Sequence, residues 1–220
     1  WIQSNAGEIQ HAIISSRDPV SRITSSFVNK FHVYENRTIF DNTKKIQGFA
    51  KRFSRDLLKE KKKQLGEKRQ RGDFSIEELI HYLYQNKDKL DLINPHFTPQ
   101  ISTNSRFSII KNLIKSDIKV HPLRIGNFSD DLHNINTKLE LKMMPSSVNS
   151  TSLPSNEWRF DSSADSASKT VSILHQQKLI PNAAALRELL QQKPHLQQQF
   201  WELFQYDFAL QDAMNHLSKN

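Results

Sequence analysis

Residues 44–65 read KKIQGFAKRFSRDLLKEKKKQL, and no other stretch of the chain carries so clear a period. At about 100° per residue, Ile46, Phe49, Ala50, Phe53 and Leu57 fall within one narrow arc. Lys44, Lys51, Arg52, Arg55, Lys59 and Lys62 fall on the opposite side. The segment is an amphipathic helix with a basic face. Asp41, Asn42 and Thr43 are its N-cap candidates, and Gly66 is its stop. Between Lys44 and Arg71 stand twelve Lys or Arg against Asp56, Glu60 and Glu67. The remaining residues carry nineteen basic and twenty acidic groups, so the net charge of +8 comes from this one segment. So concentrated an excess points to an anionic partner more than a uniformly basic surface would.

Toward the N-terminus, Phe31 to Tyr34 and Arg37 to Phe40 are β-rich runs flanking Glu35-Asn36. They read as a small hairpin, in competition with a helix through Phe27 and Phe31. Residues 9–23 are weakly patterned and suggest a short helix. Gln3-Ser4-Asn5-Ala6 resembles the remnant of a cleaved expression tag, so residues 1–6 carry no functional weight.

Toward the C-terminus, Arg71-Gly72-Asp73 reads as a turn. Ser75-Ile76-Glu77-Glu78 is a capping box, with Phe74 and Leu79 placed as a hydrophobic staple, and a helix follows to about Asn86. Pro95 and Pro99 break the pattern. Asn104 or Ser105 opens a helix with Phe107, Ile110 and Ile114 on one face. Residues 118–120 and 139–143 read as short strands around a loop with Pro122 and Gly126. Residues 145–168 have the Ser/Pro-rich composition of a linker, with Trp158 and Phe160 as its apolar exceptions. Three helices follow: one from Val171, one over 182–191, and one opened by Pro194. Asp207 would interrupt the apolar stripe of that last helix, so the pattern breaks it at Tyr206-Asp207, with Asp207 capping a final segment. Trp201 and Phe208 lie off the stripe and need a cover, either the Trp158 segment or a protein partner.

These signals give an α+β fold that is predominantly α-helical: a basic, mainly helical domain over 7–144 with a small β-hairpin, a linker over 145–168, and a helical subdomain over 169–220. The chain has no cysteine, which excludes disulfides and thiolate chemistry. Five glycines leave little room for a phosphate-cradling loop. Nothing approaches the roughly 18 to 20 apolar residues of a membrane span, so a cytosolic compartment is expected. The nine histidines form no close pair in sequence, and neither a metal nor a cofactor is expected.

His121-Pro122-Leu123-Arg124-Ile125-Gly126-Asn127 resembles part of the core motif of the Fic family. In that resemblance His121 is the general base of a group transfer. Ile125, Phe128 and Ser129 depart from it where the metal-binding acid and the phosphate-cradling turn belong. Asp130 or Asp131 with Glu140-Leu141-Lys142 resembles the carboxylate-lysine pattern of PD-(D/E)xK nucleases. An exposed charged strand explains those residues as well.

The functional expectation is a non-catalytic binding or targeting module. Its anion-binding residues are Lys44, Lys51, Arg52, Arg55, Lys59, Lys61, Lys62, Lys63, Lys68, Arg69 and Arg71. Its partner is an anionic membrane lipid, such as a phosphoinositide, or nucleic acid. Few glycines, no cysteine and abundant Lys, Asn, Ile and Ser together resemble effectors delivered into host cells by intracellular bacteria. The alternative is a transferase that modifies host proteins with His121 in its site.

Overall fold

The computed structural model describes residues 9–34, 37–38, 40, 55–59, 72–92, 96–101, 104–144 and 157–219. Among these residues helices dominate and the strands form three two-stranded sheets. The expected helix-dominated α+β class is what the chain adopts. No helix among the described residues is long and apolar enough to cross a membrane.

The chain divides into two compact units. The first comprises Trp1–Pro19, Pro99–Val148 and Phe204–Asn220. Its centre is a parallel pair, β1 (His11–Ser16) with β4 (Lys119–Arg124), in register from His11↔Lys119 to Ser16↔Arg124. Residues 9–23 were expected to hold a short helix, and residues 118–143 two strands, of which the one over 118–120 is present in β4 and the one over 139–143 is not. The first stretch holds a strand and the start of a helix. The second holds β4, which runs on through Pro122, and α5 (Phe128–Leu139), with no strand over 139–143. Pro122 lacks an N–H, and a strand with a neighbour on one side only can carry that loss. α4 (Asn104–Lys115) and α5 pack on β4. Below them Ile101, Leu210 and Met214 form a buried cluster against Ile14, Phe107, Ile110, Ile114 and Val120.

The second unit comprises Val20–Thr98 and Asn149–Leu203. α1 (Pro19–Phe27) runs into a π-helical turn (Val28–His32), and Ile23, Phe27 and Phe31 repeat every fourth residue on one face, all fully buried. Phe31 meets Phe74 edge-on, with ring centroids 5.0 Å apart, and stacks on Phe97 at 5.3 Å. Aromatic pairs favour these edge and offset arrangements. The expected hairpin is present: β2 (Val33–Tyr34) pairs antiparallel with β3 (Arg37–Thr38).

The capping box also forms as expected. Ser75 Oγ accepts from Glu78 N at 3.2 Å, and Glu78 Oε2 accepts from Ser75 N at 3.0 Å. It opens α3 (Ile76–Gln85), whose Ile76, Leu79, Ile80 and Leu83 are buried. Gly72 takes a φ of 89°, which costs glycine little, in the turn before it.

Residues 157–168, expected as the end of a linker, hold β5 (Arg159–Asp161) and α6 (Ala164–Ser168). β5 runs parallel to β6 (Leu179–Pro181). Between them α7 (Val171–Gln177) is capped by Thr170. Asn182 caps α8 (Ala183–Gln192) by accepting from Ala184 N and Ala185 N. α9 (Pro194–Leu217) begins at the expected proline, but its irregular residue is Phe204, with φ −116° and ψ 18°, rather than Tyr206-Asp207. Trp201 is exposed.

Of the basic segment, residues 55–59 are described. They are helical (α2), with Leu57 buried and Arg55 and Lys59 exposed, as the apolar and basic arcs require. Lys44, Lys51, Arg52, Lys61, Lys62, Lys63, Lys68, Arg69 and Arg71 lie outside the described residues.

Trp158 is buried in the second unit, its ring 5.1 Å from His32 and 5.7 Å from His175. His32 Nε2 donates to Leu179 O at 2.7 Å, while its Nδ1 is buried with no hydrogen-bond partner. Burial lowers the His32 pKa from 6.5 to about 4, the Leu179 bond opposes the shift and the charge of His175 adds to it. The unfolded chain therefore takes up a proton near pH 6.5 that the fold refuses until about pH 4. Stability is complete above pH 6.5 and falls by up to about 3 kcal/mol as the pH drops through that window. Urea denaturation between pH 7 and 4 should show this slope, and His32→Gln should flatten it. An equal slope in the variant would refute the assignment.

Candidate functional site

A parallel strand pair sends both its chains out at the same edge. At the C-terminal edge of β1 and β4, Ser16 stands in register with Arg124. Each strand is followed by a helix after a short turn: α1 begins at Pro19, and α5 at Phe128 after a 3-10 turn over Ile125–Asn127. Helix N-termini carry unpaired N–H groups and a partial positive charge, which is why ligands, anions above all, gather at this edge of parallel sheets.

Four groups at the edge define its chemistry. Ser16 is buried, and its Oγ has no hydrogen-bond partner. A buried hydroxyl without a partner is uncommon, and this one stands at the strand end. Arg17 follows directly, half-buried. Burial pushes its guanidinium below the ordinary value, and the charge of Asp18 pulls the other way. The Arg17 main-chain N–H donates to Gln100 Oε1 at 3.3 Å.

Arg124 is held by Asp131 of α5. Its Nε donates to Oδ2 at 2.9 Å, its Nη2 to Oδ1 at 2.6 Å, and its own main-chain N–H to Oδ2 at 2.6 Å. The side-chain hydrogen bond is the main reason that the Asp131 pKa is lowered and the Arg124 pKa raised. Arg124 is therefore compensated within the fold, and Arg17 stands at the same strand end, with the charge of Asp18 acting on it. In the second unit, α1 continues through buried Arg22, whose Nη1 donates to Thr98 O, and buried Ser26.

His121 does not sit in a loop. It lies on β4, buried, with Nε2 3.0 Å from His11 Nδ1 of β1. Its pKa is lowered by burial first and then by the charges of His11, Lys138 and Lys119. An open depression of about 510 Å³ adjoins the pair, lined by residues 9–11 and 116–119 at the opposite, N-terminal edge of the strands. The nuclease-like acids do not converge either. Asp131 spends both oxygens on Arg124, and Glu140 is the left-handed cap that ends α5, at φ 53°. Among the described residues no three His, Asp or Glu side chains are grouped to hold a metal ion.

Sequence reasoning missed the edge at Ser16-Arg17, although a signal was present. Asp18 directly precedes Pro19, the residue type favoured at a first helical position, and Val20, Ile23, Phe27 and Phe31 continue at helical spacing.

A family model described as the sulfotransferase family matches residues 6–211. No curated protein and no solved structure matches the chain. The family match overturns three expectations: the resemblance to bacterial effectors, the non-catalytic lipid-binding module, and the Fic-like transferase with His121 as its base. Composition, a local charge excess and a short partial motif suggested them, and none of these fixes the chemistry of a site.

The Asp131–Arg124 fork yields a stability test. Asp131 is almost fully buried, so Asp131→Asn removes a charged acceptor from three donors and should cost about 1–3 kcal/mol in urea denaturation. Because the carboxylate pKa is depressed, wild type holds this contribution above about pH 4 and loses it as the pH falls through the lowered value, a dependence the variant should lack. An unchanged midpoint would mean the pair behaves as a solvated surface bridge.

Proposed function

Because the chain belongs to the sulfotransferase family, we propose that it transfers a sulfuryl group from an activated donor to a nucleophilic acceptor, with the donor held at the Ser16-Arg17 edge. Sulfate itself is a poor donor. A transferable sulfuryl group must be joined to a good leaving group, as in a nucleotide phosphosulfate. The acceptor oxygen or nitrogen attacks sulfur in line, its bond to sulfur forms as the bond from sulfur to the bridging phosphate oxygen breaks, and the acceptor proton leaves to a base. Negative charge grows on the departing phosphate.

An arginine whose guanidinium is partly desolvated suits that charge, because its planar donors match phosphate and its hydration costs little to strip. The helix that starts two residues later adds a favourable field. The observation that carries this reading is the placement of Arg17 immediately after a parallel strand and two residues before α1. The Ser16 hydroxyl is a further donor at the same place.

Calorimetric titration with adenosine phosphosulfates, with and without a 3′-phosphate, tests the reading. Arg17→Ala should weaken binding by about 10- to 100-fold, the loss of a charged hydrogen bond of about 1.5–3 kcal/mol. Arg17→Lys should fall between, since it keeps the charge and loses the fork. Failure of the wild-type protein to bind any phosphosulfate, or equal binding by Arg17→Ala, would sink the proposal.

A further inference from the structure

Asp207 stands in the apolar run of α9, between Leu203 and Leu210 in sequence, and is 1% exposed. A carboxylate there is costly unless its oxygens are met by donors. Both are met, and by main chain: Oδ2 accepts from Gln100 N and Oδ1 from Ile101 N, each at 2.9 Å. Ile101 is also packed into the cluster with Leu210 and Met214, three and seven residues beyond Asp207 on the same helix. The turn at 100–101 is thus fixed to α9 by a polar and an apolar contact together.

That turn has a second engagement. The Gln100 side chain accepts the Arg17 main-chain N–H at 3.3 Å. The connections run from a buried carboxylate, through the main chain of Gln100, to the residue that follows β1. We propose that Asp207 is a positioning residue for the donor site: by holding the 100–101 turn it lets Gln100 fix the Arg17 main chain at the strand end. The proposal rests on the reading of the Ser16-Arg17 edge as the donor site. A carboxylate with a purely architectural role would stabilise the fold without altering the geometry of Arg17.

The experiment is a double-mutant cycle on the full chain, read by adenosine phosphosulfate affinity and by amide exchange at Arg17. Asp207→Asn replaces one acceptor oxygen by a donor and should weaken binding by about tenfold, and Gln100→Ala by about threefold. The double variant should bind no more weakly than Asp207→Asn alone, because both act through one route. The Arg17 amide should exchange faster in all three variants. Additive losses, or Asp207→Asn binding like wild type, would overturn the proposal. If Asp207→Asn does not fold, Gln100→Ala at its exposed position decides, and wild-type affinity there overturns it as well. A wild-type protein that binds no phosphosulfate instead removes the donor site itself, and unchanged exchange at Arg17 then separately removes the positioning role.

Discussion

Two strands that run the same way cannot be joined by a tight turn, so parallel pairing obliges the chain to leave one edge of the sheet and return at the other. β1 and β4 pair over six positions, and the connection between them runs from Ser16 to Lys119. This constraint sets the rest of the first unit. It puts Ser16 and Arg124 side by side, lets α5 start from the same edge, and supplies Ile14 and Val120 to the cluster around Ile101, Leu210 and Met214. An antiparallel pairing of the same residues would have placed one strand end at each edge.

What the sequence made legible is local. The Ser75–Glu78 box, the Asn182 cap, the proline at the head of α9 and the small hairpin each involve residues within a few positions of one another, so their signals lie in single short windows. β1 escaped that logic, and β4 was read only over its first positions. His11–Ser16 contains two isoleucines among His, Ala and Ser, and Lys119–Arg124 contains a proline and three potentially charged residues. The first run does not declare itself a strand until its partner is known, and the second does not show that it runs on through Pro122. Asp207 failed in the same way. Its position in an apolar stripe fits a cap for want of other donors, and those donors lie more than one hundred residues away in the chain. The basic segment was conspicuous because charge is summed without reference to structure, whereas the edge residues Ser16 and Arg17 are ordinary letters until the fold places them.

The two arginines at the edge show why charge counts mislead. Arg124 is bonded three times over to Asp131, and nothing in the count of Lys and Arg separates it from Arg17. On the proposed reading the distinction matters. Arg124 organises the turn into α5, while the partly desolvated Arg17, just after β1, is placed to meet incoming negative charge. Desolvation raises the energy of a cation in the absence of a ligand, so part of what an anion gains on arrival is relief of that state. A fully hydrated lysine on an exposed helix offers no such difference.

Four of the buried polar side chains share one habit, which bears on how irregular segments are kept in shape. His32 is bonded to the carbonyl of Leu179, Asp131 to the N–H of Arg124, Arg22 to the carbonyl of Thr98, and Asp207 to the N–H groups of Gln100 and Ile101. Each reaches main chain, at a strand end for Leu179 and Arg124 and outside helix and strand for Thr98, Gln100 and Ile101. A backbone group left bare in the interior costs about as much as a lost hydrogen bond, so a segment that must be both irregular and buried needs a side chain sent to it from elsewhere. Apolar contacts alone would hold such a turn at the right distance while leaving it free to slide. A directed pair such as Asp207 Oδ1 and Oδ2 on two successive N–H groups permits a single placement. Small sheets give little regular structure on which to mount a site. On the proposed reading, the 100–101 turn, fixed in this way by Asp207, is what holds the strand end that carries Arg17.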